Sequence, residues 1–392
     1  MKLLHLVLSL APSLMFVYLY VRLRSAIGPG WRWTLAYSLL SAALLYGSYF
    51  LWTTDLGEWP QLRKVLSYSV YMLLALAFLM FAAFLALDAM RLLLWAADHL
   101  LSSTFGSILR PPRLRAAAAV SFALLACAYG WYEALSVRPA SVTVVTDRLP
   151  AGVDRIRIAH LTDVHLGWFV QEQRLERILE VVRGASPDLL VCTGDLVDGN
   201  MEEREQETAL LRALEPPLGK IAVTGNHEYH AGVEQAVRFM ERAGMRVLRG
   251  ETVAAGGIVV VGVDDPAALR HGERPAPESE LLASLPPDRF VLLLKHQPTV
   301  SQGSEGLFDL QLSGHTHGGQ IWPFYWATRA AYDYRPGLRA LKPRASGEAQ
   351  ASAGGRESAV LVSNGAGTWG PPIRFMAPPE VVIVDLVRGV DE

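Results

Sequence analysis

Aspartate, asparagine and histidine recur in five short clusters, each at the end of an apolar run. They are Asp163-Val-His165, Gly194-Asp195, Gly225-Asn226-His227-Glu228, His296 and Gly314-His315-Thr316-His317. Carboxylate, amide and imidazole groups in this mixture are ligands for divalent cations, and there are enough of them for two ions. A pair of ions about 3.5–4 Å apart can hold and activate water and clamp phosphoryl oxygens for in-line attack. Such chemistry needs no nucleophilic side chain, and none is signalled.

Each cluster has a plainer reading as well. Asp163 and His165 read equally as a turn aspartate beside a surface histidine, or as an i, i+2 pair brought to one face by strand alternation. Asp195 follows a glycine that lets backbone approach closely, so its carboxylate is well placed to bridge two ions. Asn226 offers a neutral oxygen ligand. His227, next to it, cannot easily reach the same ion and is free to protonate a leaving oxygen or hold phosphoryl oxygens. Glu228 is expected to orient that ring, and Asp198 to cap a turn, with a contact to the site as the alternative. His296 taken alone reads as a satisfied core histidine, and its place between the other clusters turns it into a candidate ligand. His315 and His317, flanked by glycines, form a loop able to turn sharply against the ions.

The elements that must position these groups begin near residue 141. Apolar runs at 156–161, 189–193 and 220–224 read as strands, alternating with helices over 171–183, 202–214 and 233–243. Further strands are expected at 247–248, 258–263, 290–294, 310–312, 359–362 and 381–386. An α/β first half and a β-rich second half suggest two packed sheets flanked by helices.

In this order the clusters resemble the calcineurin-like metallophosphoesterases, whose pattern is D-x-H, G-D, G-N-H-[DE], H and G-H-x-H. The resemblance covers about residues 153–388. It implies a four-layer αββα sandwich with a binuclear centre at the carboxyl ends of the strands. It also implies Asp163, His165, Asp195 and His317 on one ion and Asp195, Asn226, His296 and His315 on the other, with Asp195 shared. Mn²⁺, Fe or Zn²⁺ would suit such sites. The tail over 362–380, with Ser363-Asn364-Gly365, Trp369-Gly370-Pro371-Pro372 and Arg374-Phe375-Met376, looks like the ending of the membrane-associated bacterial branch of this superfamily. Asn364, Gly365 and Arg374 are candidates for lining the site.

The first third of the chain differs in kind. Residues 1–140 hold 11 Lys/Arg against 5 Asp/Glu, and the remainder 25 against 33. Apolar runs at 3–21, 33–52, 65–87 and 116–135 are each long enough to span a bilayer. Charged residues inside them are few and unpaired, which argues against a transporter. Basic residues gather in the loops after the first and third runs, so these loops are expected in the cytoplasm and the catalytic part outside. The expected division is a transmembrane module of about four helices, residues 1–140, and a catalytic domain, residues 141–392. Cys127 and Cys192 read as small buried hydrophobes. No basic run interleaved with aromatics suggests nucleic acid. The aromatic stretch 321–334 is expected at a lipid interface, along an apolar groove or at a packed core edge.

The reading is therefore a multi-pass, membrane-anchored phosphoesterase with two divalent ions. Asp195 and His227 would be its catalytic residues. Its substrate would be a phosphodiester or phosphomonoester, lipid-linked esters included, with diesters favoured. The alternative is a catalytically silent membrane sensor or interaction protein on the same fold.

Overall fold

A computed structural model describes residues 2–54, 59–101, 104, 109, 111–341 and 356–389. The chain forms two compact units. One comprises Met1–Tyr132 with Gly370–Phe375, the other Glu133–Trp369 with Met376–Glu392.

The first unit is built on α1 (Lys2–Ile27), α2 (Trp31–Thr53), α3 (Pro60–Leu101) and α4 (Pro112–Ala134). The third apolar run does not split: α3 is one helix of 42 residues, roughly 60 Å long, twice the thickness of a bilayer's hydrocarbon core. Among the described residues, three stretches are long and apolar enough to cross a membrane: Trp31–Leu51, Gln61–Leu101 and Pro112–Ala134.

Charged residues just outside the expected spans are paired with one another. Asp88 accepts from Tyr18 Oη at 2.5 Å. It also faces Arg22 at 2.5 Å and Arg115 at 3.4 Å. Arg22, Asp88 and Arg115 each stand one residue outside an expected span, so their meeting sets one end of α1, a point within α3 and the start of α4 at a common level. Arg374, a candidate for lining the site, belongs to the segment that groups with the helices. It is fully buried there, and its backbone N–H donates to Gly130 O at 2.9 Å.

The second unit holds two six-stranded sheets. The first runs β1 (Arg138–Thr146), β12 (Glu380–Arg388), β2 (Arg155–Leu161), β3 (Leu189–Cys192), β4 (Lys220–Ala222) and β5 (Arg246–Val247). The second runs β10 (Gly337–Ala340), β11 (Ala359–Val362), β9 (Leu310–Ser313), β8 (Val291–Leu294), β7 (Ile258–Gly262) and β6 (Glu251–Ala255). Ile156, Ile158, Val191 and Val384 of the first sheet meet Ile258, Val260, Leu292, Leu310 and Leu361 of the second in one apolar layer. The first sheet's other face carries α5 (Glu172–Ala185), α6 (Glu205–Arg212) and α8 (Val233–Arg242). The 3.6-residue spacing of Leu175, Ile178, Leu179 and Val182 turns one stripe of α5 onto it. The second sheet's other face packs Val261 and Leu293 against Leu282 of α10 (Glu278–Ala283). The result is the expected four-layer sandwich. The 140/141 division falls inside β1, which pairs in parallel with β12 along its whole length. Its β-branched Val142-Thr143-Val144-Val145-Thr146 run is a strand signal.

Candidate metal centre

Parallel pairing of β2, β3 and β4 sets Leu161 beside Cys192 and Cys192 beside Ala222. The chain therefore leaves the sheet at one edge three times, towards Asp163, Asp195 and Asn226. In the second sheet β8 and β9 align Leu294 with Leu312, and His296 and His315 follow. Asn226 starts the short helix α7 (Asn226–Ala231).

Strand alternation is not what brings Asp163 and His165 together. β2 stops at Leu161, and both residues have left-handed backbones, φ 54° each. The same holds for Asp195 (49°), His315 (68°) and His317 (50°). Among the described residues, five of the eight non-glycine positions with positive φ are thus candidate ligands, in a region that side chains with a Cβ rarely adopt. Crowding explains the glycines here: a Cβ on Gly194 would lie 2.4 Å from Gly225 N, and one on Gly365 would lie 2.6 Å from Asp163 Cβ.

The side chains converge in two groups, Asp163 with His165 and His317, all buried, and Asp195 with His296 and the half-buried His315. His165, Asp195 and His227 form a third that overlaps the others. His317 Nε2 lies 3.3 Å from Asp163 Oδ1 and 3.0 Å from His165 Nε2. His296 Nε2 lies 3.1 Å from Asp195 Oδ2 and 3.2 Å from His315 Nδ1. Asp195 Oδ2 is also 3.8 Å from His165 Nε2, so this carboxylate touches both groups. His296 Nδ1 is 2.9 Å from Thr193 O; a carbonyl only accepts, so Nδ1 keeps its proton and Nε2, beside Asp195, is the nitrogen left to meet an ion.

Three observations fit these residues to cations. Two pairs of ring nitrogens face each other across carboxylates. Asn226 Oδ1 is buried with no hydrogen-bond partner. The carboxylates also draw positive charge to one of these rings. Burial would lower His296, yet the carboxylates of Asp195, Asp163 and Asp265 push it well above the usual histidine range. Burial would raise Asp195, yet His296 and His227 hold it well below the usual carboxylate range.

Two roles exchange relative to the sequence reading. Glu228 does not orient His227. Its carboxylate accepts the backbone N–H groups of Asp195 (2.8 Å), Leu196 (2.8 Å), Val197 (3.1 Å) and Gly225 (2.6 Å), tying two cluster loops together. Asp198, which reads first as a turn cap and second as a contact with the site, holds the ring: its Oδ1 is 2.8 Å from His227 Nδ1. Burial lowers His227, but Asp195 and Asp198 outweigh it and raise the imidazole to about 9. Gly365 is at the site, against Asp163, and Asn364 Oδ1 lies against Gly318 of the histidine loop, while its backbone N–H donates to Glu380 at 2.8 Å. The aromatic stretch adds a residue the sequence did not single out. Tyr332 Oη lies 2.6 Å from His315 Nε2.

The family description of calcineurin-like phosphoesterases matches residues 156–319. An uncharacterized metallophosphoesterase of Aquifex aeolicus is 40% identical over 267 residues, which is 67% of this chain and 97% of the relative. The chain belongs to the calcineurin-like phosphoesterase family. Metal-dependent hydrolysis of phosphoesters at a dimetal centre is this family's chemistry, and in this chain all seven candidate ligands and His227 fall within the matched residues. Similarity extends beyond the matched residues. A bovine transmembrane protein with metallophosphoesterase domain is 30% identical over 363 residues, covering 86% of this chain and 77% of that one. Among solved structures, a 5′-nucleotidase precursor from Thermus thermophilus matches at 14% identity and a TM-score of 0.33, over 59% of this chain and 54% of that one.

Proposed function

We propose that the chain is a membrane-anchored hydrolase of phosphodiesters or phosphomonoesters, diesters preferred and lipid-linked esters included. Residues 1–140 would anchor it and residues 141–392 catalyse. Asp163, His165, Asp195 and His317 would hold one divalent ion (Mn, Fe or Zn). Asp195, Asn226, His296 and His315 would hold the other. The observation that carries the reading is the meeting of two donor groups at the single Asp195 carboxylate.

When bound, such an ion pair supplies an activated water and neutralises charge on the phosphoryl oxygens. The protein's own side chains do the rest. Asp198 occupies His227 Nδ1, leaving Nε2 to meet a phosphoryl oxygen or give a proton to the departing oxygen. Asp195 Oδ1 accepts the His227 backbone N–H at 2.8 Å, which fixes this ring relative to the shared carboxylate. The exposed Trp369 ring stands 5.8 Å from His227 and walls that side.

Three apolar helices and the transmembrane relatives favour anchoring. The common level of Arg22, Asp88 and Arg115 supports placing the Arg-rich loops together in the cytoplasm, with the catalytic unit outside. Attachment at a bilayer is what favours a lipid-linked ester.

The test is Mn²⁺-dependent hydrolysis of an aryl phosphodiester and the matching monoester by the detergent-solubilised chain, beside its Asp195→Asn and His227→Ala variants. Turnover by the parent and its loss in both variants is expected. A folded, ion-loaded but inert parent would overturn the reading in favour of a silent sensor. For orientation, a cysteine at exposed Glu203 should react with an impermeant maleimide on intact cells.

A further inference from the structure

The sandwich explains how seven ligands converge, but not what fixes the ring of His315. This histidine sits on a left-handed backbone (φ 68°) in a glycine-flanked loop. Asp163 holds only its main chain: His315 N–H donates to both carboxylate oxygens at 3.0 Å. The ring could present either nitrogen to an ion. Its two nitrogens meet different surroundings. Nδ1 faces His296 Nε2 and the Asp195 carboxylate, the Asp195 group of donors. Nε2 faces only the hydroxyl of Tyr332, at 2.6 Å, with the two rings edge to face at 5.3 Å between centroids.

We propose that Tyr332 is a positioning residue of the centre: its hydroxyl oxygen accepts the His315 Nε2 proton and so presents the Nδ1 lone pair to the ion held with Asp195 and His296. This inference rests on the two-ion reading given above. A ligating imidazole whose other nitrogen donates to a fixed acceptor is locked in tautomer and ring orientation, and is the more basic for it. The acceptor here is well fixed. Tyr332 ends α11 (Tyr325–Ala331), and its backbone N–H donates to Thr328 O at 3.0 Å. At its other end α11 lies hard against the histidine loop: a Cβ on Gly319 would fall 2.4 Å from Tyr325 N. The chain thus leaves the loop at His317, passes through α11 and returns a hydroxyl to the loop's first histidine.

Selectivity follows from the grouping. His315 belongs to the Asp195 group and not to that of Asp163, His165 and His317. Loss of the hydroxyl should therefore weaken one ion and spare the other.

The experiment is Mn²⁺ titration of the detergent-solubilised full chain by calorimetry, with electron paramagnetic resonance at each stoichiometry. The parent should take up two ions and show a spin-coupled pair. Tyr332→Phe, which keeps the ring and removes the oxygen, should bind one ion as the parent does and the second about 10–100-fold more weakly. At intermediate Mn²⁺ it should show the six-line signal of an isolated ion. The unchanged first ion reports that the variant is folded. In a His315→Ala background, adding Tyr332→Phe should change nothing further. Equal weakening of both ions, or two ions bound as tightly as in the parent, would overturn the inference alone. A parent that takes up fewer than two ions would overturn the centre and the inference with it.

Discussion

His227 and His315 both stand in donor groups that include Asp195, yet each ties its outer nitrogen to a chemically different partner. His227 Nδ1 meets a carboxylate, Asp198, at 2.8 Å, whereas His315 Nε2 meets a phenol, Tyr332, at 2.6 Å. The two rings are driven in opposite directions. Burial pulls His227 down, but Asp195 and Asp198 raise it to about 9. Burial and the neighbouring His296 lower His315 to about 4. A carboxylate partner favours an imidazolium, suited to an anionic phosphoryl group. A neutral hydroxyl leaves a neutral ring, suited to ligation. Adjacent motifs thus acquire different chemistry from residues that lie outside them.

That contrast can be broken at several points. Asp195→Asn touches both sides at once, because its carboxylate meets the donors of both groups and the His227 backbone. Turnover should fall by about a thousandfold or more, with weaker uptake of both ions by calorimetry. His227→Ala should lower kcat by about 10²–10⁴-fold while metal analysis still finds two ions per chain. Asp198→Asn keeps the shape and removes the charge behind His227. A loss of about 10–100-fold in kcat/KM is expected, again with ion content unchanged. If ion content fell instead, Asp198 would belong to the ligand set and the contrast with Tyr332 would dissolve.

A smaller effect comes from His160, a buried histidine that ligates nothing. Its Nε2 lies 2.7 Å from Thr193 Oγ1, and burial lowers it to about 3. A histidine with a depressed pKa stays neutral in the folded chain while the unfolded chain binds its proton below about 6.5. Its contribution to stability is therefore whole above about pH 6.5 and is lost, at up to about 1.4 kcal/mol per pH unit, as pH falls towards about 3. Urea denaturation at about pH 7 and about pH 5 should show a smaller pH difference for His160→Gln than for the parent.

The candidate ligands were legible because ligand chemistry restricts residue type and the parallel sheet restricts position. Seven donors of the right kind, each following an apolar run, seldom arise without an ion to hold. What supports them was harder to read. Asp198 lies 29 residues from His227 in sequence and Tyr332 lies 17 from His315. Nothing local marks either residue, since an aspartate after a strand fits a turn and a tyrosine among tryptophans fits a surface. Glu228 was visible as an acid in a motif, but its service to four backbone N–H groups appears only once two loops are adjacent. β1 is a different case. Its β-branched run is readable, but the long apolar segment just before it masks where the sheet begins. The continuity of α3 beyond residue 87 is likewise signalled by apolar residues reaching Trp95.

The left-handed backbones at Asp163, His165, Asp195, His315 and His317 have a consequence for how the protein tolerates change. Each costs on the order of 1–2 kcal/mol for a residue bearing a Cβ, a load that bound ions offset and the empty protein must carry. Glycine carries no such load. Exchanging His317 for glycine should therefore abolish catalysis and yet raise the melting temperature of the chelated protein. Random variation screened for thermal endurance alone would drift away from the histidine loop, and only a demand for turnover would keep it.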